Sequence, residues 1–164
     1  MVAKGFHQQP GIDYDETFSL VIKPTTVRII LTLAAQFQWP LRQLDISNAF
    51  LHGYLKEDVD MSQPQGFTDP SKLGYVCKLH KSLYGLKQAP RTWFERFTTH
   101  LLSLGFTAST TDPSLFVFHL KNAILYLLLY VDDIIITRTS LTLIIDLIST
   151  LQNTFELKDL GPLH

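Results

Sequence analysis

The sequence predicts an α+β fold, an antiparallel sheet of the split βαβ kind with its main helices on one face. Three observations predict it. Two short, charge-free runs of bulky and β-branched residues, Ile124 to Leu129 and Ile134 to Ile136, read as neighbouring buried strands. Two longer segments, from Pro90 to Gly105 and from Ser140 to Phe155, repeat apolar residues at helical spacing. From residue 41 onward the larger elements then run strand, helix, two strands, helix, strand.

Composition sets the outer limits. The 164 residues are 46% apolar, with 11 Phe and 6 Tyr, so a substantial core is available and disorder is disfavoured. The net charge of −1 argues against a general nucleic-acid coat protein. A single cysteine, Cys77, excludes an internal disulfide framework and a multi-cysteine zinc site, and is compatible with an intracellular, reducing compartment. The N-terminal residues lack the apolar core of a signal peptide. The apolar run at 123–136 is cut by Asp132 and Asp133 and fails as a membrane span, so no membrane partner is expected.

Taken in order, Val2 to Phe6 reads as a short strand and 7–23 as loop. Pro24 suits the first turn of a helix running through Gln38, with Pro40 ending it. Leu41 to Ile46 is a strand with Leu44 and Ile46 pointing one way and Asp45 the other. Asn48 to Gly53 is a short helical turn closed by glycine. Leu55 to Phe67 reads as an edge hairpin with a loop, and Tyr75 to Leu79 as a further strand. Leu83 to Pro90 is a loop leading into a helix whose apolar face is Trp93, Phe94, Phe97, Leu101, Leu102 and Leu104, stopped by Gly105. Leu115 to Leu120 pairs with Ile124 to Tyr130 across Lys121-Asn122. Val131-Asp132-Asp133 then turns the chain into Ile134 to Thr137. Ser140 caps the last helix, and Glu156 to Leu160 is extended.

On the residues alone, Tyr130-Val131-Asp132-Asp133 reads equally as a simple turn and as a metal site. The split βαβ order allows Asp45 to meet Asp132 and Asp133 at neighbouring strand ends. Three carboxylates without His or Cys are a hard-oxygen set suited to Mg2+ or Mn2+. Two such ions, about 3.5–4 Å apart, support phosphoryl transfer. From Ser71 to Phe94 there is no acid, whereas Lys72, Lys78, Lys81, Lys87 and Arg91 fall inside that stretch. It reads either as a phosphate-contacting patch or as a solvated face.

Several stretches together carry a family resemblance. They are Val2-Ala3-Lys4-Gly5, Gly11-Ile12-Asp13-Tyr14, Lys23-Pro24-Thr25-Thr26, Gln43-Leu44-Asp45 and Asn48 to Gly53, then Ser82 to Pro90, Tyr130 to Asp133 and Leu157 to Gly161. In this order, over essentially the whole chain, they resemble the reverse transcriptase domain of copia-type long-terminal-repeat retrotransposons, part of a Pol polyprotein. The resemblance implies a polymerase palm over about 40–53 and 81–164, and partial fingers over about 1–39 and 54–80. It implies an RNA-directed DNA polymerase that transfers nucleotides to a primer 3′-OH with two Mg2+ or Mn2+ ions. Asp45 and Asp132 would be the bridging metal ligands and Asp133 the auxiliary one. Phe50 would lie under the sugar, Tyr84, Gly85, Lys87, Gln88 and Pro90 would contact nucleotide and template, and Tyr130 would sit beside the primer end. Core packing is the alternative for Phe50, and an exposed surface position is the reading for Lys158.

The implied partners are an RNA or DNA template-primer, deoxynucleoside triphosphates and the remaining Pol segments, thumb and ribonuclease H. The expectation is of a fragment lacking those segments. Leu20 stands where the family usually has proline, Asp60 where it often has an aromatic and Arg138 where it usually has glycine. These departures keep open a second reading, a catalytically inactive truncated remnant. A metal-dependent nuclease is a third, without the extra acids and histidine base such sites use.

Overall fold

Local chemistry explains where each element starts and stops. The computed structural model describes residues 2–17, 21–121, 123–138 and 141–163. Helix α1 (Pro24–Gln36) has proline in its first turn, where a missing N–H costs nothing. It ends in a Schellman motif, with Trp39 N donating to Ala34 O at 2.9 Å and Gln38 N donating to Ala35 O at 3.4 Å. Gln38 takes the left-handed position at φ 53°. The helix therefore stops two residues before the expected Gln38.

There follow β1 (Leu41–Ile46), β2 (Tyr54–Ser62), β3 (Val76–Lys81), α2 (Ala89–Ser103) and β4 (Thr107–Ala108). The chain continues with β5 (Leu115–Leu120), β6 (Ala123–Tyr130), β7 (Asp133–Arg138), α3 (Leu141–Gln152) and β8 (Leu157–Pro162). Helix α2 closes with the same motif as α1, through Phe106 N to Leu101 O at 3.1 Å and Gly105 N to Leu102 O at 3.0 Å. Gly105 is at φ 95°, the conformation that glycine adopts without strain.

The chain divides into two units, Met1–Ser19 with Phe50–Arg96, and Leu20–Ala49 with Phe97–His164. The first contains the antiparallel β2–β3 ribbon. The second contains a six-stranded antiparallel sheet in the order β4-β5-β6-β7-β1-β8. Its four strands β8-β1-β7-β6, with α2 between β1 and β6 in the chain and α3 between β7 and β8, form a split βαβ arrangement. The architecture is α+β and mostly antiparallel.

Strand register separates the two faces of this sheet. Leu44 opposes Ile134, Ile134 opposes Leu129, and Ile136 opposes Leu127. These side chains are at most 3% exposed and form the core together with Ile144, Ile148 and Leu151 of α3. The other face carries Gln43, Asp45, Tyr126, Leu128, Tyr130, Asp133 and Ile135, because side chains alternate along a strand. At the outer edge, Arg42 holds Asp159 through Nε at 3.2 Å and Nη2 at 2.6 Å, which fixes β8 on β1 beside a bulge at Gln43/Leu44.

Several expectations need correction. Val2 to Phe6 is not a strand; Gly5–His7 is a 3-10 turn. A Cβ on Gly5 would lie 1.9 Å from Gly85 O, so this segment packs backbone against backbone. The last helix ends at Gln152 rather than Phe155, and Phe155 instead stacks in a tilted pair with Phe97 at 5.3 Å. Leu102 is 49% exposed, because Trp93, Phe97 and Leu101 at spacing four define the buried stripe and Leu102 lies about 100° round from it. On the Asp45 face, Trp39 stacks on Tyr126 at 6.0 Å and Leu128 is buried. Ser140 and Leu20 lie outside the described residues.

Asp112 ties the start of α1 to the loop before β5. Its carboxylate accepts from Lys23 N at 3.0 Å and Ser114 N at 3.1 Å. Burial raises its pKa, but hydrogen bonds from the Thr26 side chain and these amides, with the Lys23 charge, outweigh that and hold it below its ordinary 3.8. A depressed folded pKa contributes stability above the unfolded value, and that contribution disappears as pH falls through the folded one. Asp112→Asn is therefore expected to cost about 1–3 kcal/mol near neutral pH. In urea titrations from pH 7 to pH 3 the gap from wild type should shrink below about pH 4. A gap that stays constant over that range would contradict this role.

Candidate functional site

The β6–β7 hairpin and β1 build a carboxylate face from strand register. Tyr130 opposes Asp133, which leaves Val131 and Asp132 as a two-residue turn. Asp133 is thus the first residue of β7 rather than part of the turn, and this parity decides where it points. It opposes Asp45 across the β1–β7 pair, so the two carboxylates share one face as cross-strand neighbours. Such pairs have Cβ atoms about 4.5–5.5 Å apart, and like charges there are destabilising. Tyr130, half exposed, stands opposite Asp133 on the same face.

The turn brings Asp132 to the same end of the sheet. Its carbonyl accepts from Ile46 N at 2.9 Å, next in sequence to Asp45. Val131 adopts φ 56°, and neither Asp132 nor Asp133 has a positive φ. Positive φ only at the first turn position is the type II′ pattern, whose twist suits a hairpin. A β-branched residue there is strained, by an amount of order 1–3 kcal/mol. The hairpin pairing of β6 and β7 and the Asp132–Ile46 bond hold it in place.

Two further residues meet this face. Gln43 Nε2 donates to Asp133 Oδ1 at 3.3 Å, and Lys158 of β8 stands opposite Asp45. Sequence reasoning gave Gln43 no role. Its signal was parity, since it lies two residues before Asp45 on the same strand and therefore shares its face. The donors at this strand end are all carboxylate oxygens, which suits a hard divalent cation and not zinc. Among the described residues no three His, Cys, Asp or Glu side chains form a group able to hold a metal ion. Asp45 and Asp133 are adjacent, whereas Asp132 joins through its backbone.

The other residues that the resemblance implicates belong to the other unit and are described within it. Phe50 and Tyr84 form a tilted ring pair with centroids 4.9 Å apart, and Phe50 packs against the cluster of Val59, Leu86 and Ala89. Gly85, at φ 94°, lets Ala3 N reach Tyr84 O at 2.7 Å; a Cβ there would lie 2.1 Å from Ala3 O. Gln88 is fully buried, accepting from Gln8 Nε2 at 3.0 Å and donating to Asp13 O at 3.3 Å. Its amide therefore braces the N-terminal segment. Lys87 is exposed and Pro90 half-buried at the start of α2.

In the basic stretch, Arg91 is bound to Glu57, to Glu95 at 3.0 Å and to Glu16 O at 3.0 Å. Lys78 pairs with Asp58 at 2.5 Å. Lys72, Lys81 and Lys87 are exposed. The patch is thus smaller than its cation count implies.

Removing one of the facing carboxylates isolates their repulsion. In a chelator, Asp133→Asn is expected to raise stability by about 0.2–1 kcal/mol in denaturant unfolding. The gain should be absent when Asp45 is already Asn. Equal gains in both backgrounds would show that the two carboxylates do not interact.

Comparison with known proteins identifies the family. The family model described as reverse transcriptase (RNA-dependent DNA polymerase) matches residues 1–164. The chain is 52% identical over its whole length to the Retrovirus-related Pol polyprotein from transposon RE1 of Arabidopsis thaliana, covering 11% of that protein. It is 50% identical over its whole length to the corresponding RE2 polyprotein of the same plant, again covering 11%. Identity is 47% over 99% of the chain to the transposon TNT 1-94 polyprotein of Nicotiana tabacum, of which it spans 12%. No solved structure matches it. The chain therefore spans about a tenth of these relatives, and it belongs to the reverse transcriptase (RNA-dependent DNA polymerase) family.

Proposed function

We propose that the chain is the nucleotidyl-transfer core of a retrotransposon Pol polyprotein, an RNA-directed DNA polymerase. The observation that carries this reading is the register pair Asp45–Asp133 with Asp132 in the adjoining turn. In this reading the six-stranded sheet belongs to the palm and the β2–β3 ribbon to the fingers. Asp45 and Asp132 would hold two Mg2+ or Mn2+ ions, with Asp133 as the auxiliary ligand. Bound there, the ions would activate a primer 3′-OH and stabilise the leaving pyrophosphate.

The chain's own residues supply placement. Gln43 orients Asp133, and the hydrogen bond from Ile46 to Asp132 keeps the turn against β1. Tyr130 offers an exposed ring beside the carboxylates for the primer end. Phe50 and Tyr84 form a paired aromatic surface for the sugar and base of the incoming nucleotide. Gly85 and Pro90 shape the segment that carries Tyr84, and Lys87 is a cation free to reach phosphate. Gln88 acts indirectly, by fixing that segment to Gln8 and Asp13.

The partners in this reading are an RNA or DNA template-primer, deoxynucleoside triphosphates, and the thumb and ribonuclease H segments of the polyprotein. Among the described residues no helix is long and apolar enough to cross a membrane. A second reading, a folded lobe without activity, is favoured by one observation: no complete three-carboxylate group forms among the described residues.

Primer extension separates the two. The 164-residue chain with Mg2+, an RNA template and a DNA primer should add nucleotides, and Asp132→Asn should lower the rate at least about 100-fold, or about 3 kcal/mol. Unchanged extension in Asp132→Asn would refute the metal assignment. No extension by wild type at any Mg2+ or Mn2+ concentration would favour the inactive lobe.

A further inference from the structure

Arg138, the last residue of β7, lies on the core face of the sheet opposite Leu125. It is only 2% exposed, and its Nε has no hydrogen-bond partner. No ion pair involves Arg138 among the described residues. Burying an unpaired charge is costly, and arginine does not escape by losing its proton at neutral pH. Arg138 is among the residues that line a half-open pocket of about 200 Å3. Leu104, Phe106, Phe118, Leu125 and Leu147 supply apolar walls. A buried cation with an orphaned donor beside an apolar space is an incomplete arrangement.

We propose that this cavity is a binding site for a small monocarboxylate bearing an apolar group, with Arg138 as its counter-ion. The guanidinium fork matches a carboxylate in two parallel hydrogen bonds. The space suffices for a ring-sized apolar group, since an apolar cavity of about 150 Å3 admits benzene. Asp146, exposed on α3, lines the same cavity and makes no ion pair with Arg138. Its charge disfavours dianions such as phosphate monoesters and leaves monoanions as the class that fits. The site lies on the helix-covered face, opposite to the face of Asp45 and Asp133, so it is distinct from the proposed polymerase centre.

Benzoate is the probe, titrated into the 164-residue chain at constant ionic strength with sodium chloride as the balance. Above its Kd it should raise the thermal midpoint with the logarithm of its concentration, by about 5 °C or more at about a hundred times its Kd. Benzyl alcohol, which has a ring but no charge, should bind at least about tenfold more weakly. Arg138→Met, which removes the buried charge, should abolish the benzoate effect, and Asp146→Asn should tighten binding. In wild type, the Arg138 Nε–H resonance should move with benzoate and not with benzyl alcohol, a readout that does not require the Met variant to fold. No rise in the midpoint, or a rise retained in Arg138→Met, overturns the proposal. So does an Arg138 resonance indifferent to benzoate.

Discussion

The antiparallel pairing of β1 with β7 is the constraint from which the rest of the candidate site follows. Leu44 against Ile134 places two core residues on one face, and the next pair, Asp45 against Asp133, must then fall on the other. A register slip by one residue would bury the carboxylates and expose the core, so hydrophobic burial itself enforces the acidic pair. The repulsion between the two carboxylates is small beside the burial of Leu44, Ile134, Ile136 and Leu127. Packing therefore holds together a charge arrangement that would not form alone.

The hairpin adds a second constraint. A two-residue turn after Tyr130 leaves no slack, so Val131 accepts a left-handed backbone and Asp132 is drawn to the end of β1 by Ile46. Strain at one residue is exchanged for placement of its neighbours, and this is where a site can store it. Gln43 then meets Asp133 from the adjacent strand without any long-range rearrangement.

The sequence made some of this legible and hid the rest, for physical reasons. Ile124 to Leu129 and Ile134 to Ile136 were readable as strands because charge-free β-branched runs have few other stable placements. Leu41–Ile46 was readable from alternation. That Asp133 belongs to β7 and not to the turn was not readable, since one residue of turn length reverses its face. The N-terminal segment misled because alternation there is overruled by the close approach of Gly5 and Gly85, a contact between distant backbones. The resemblance implies a nucleotide or template contact for Gln88, whereas its burial against Gln8 and Asp13 depends on tertiary packing that the sequence does not display. Arg91 belongs to a stretch without acids in the sequence, and Glu57, far away along the chain, pairs with it.

The proposed function requires β1 and the β6–β7 hairpin to present one hard-cation site at the strand ends. Paramagnetic Mn2+ titrated into the isotopically labelled 164-residue chain tests this most directly, because amide line broadening falls steeply with distance from the bound ion. Saturable broadening should begin at Asp45, Ile46, Tyr130, Asp132 and Asp133, leaving Phe116 and Phe118 of β5 sharp at low occupancy. Broadening centred elsewhere, or none that saturates, would contradict it.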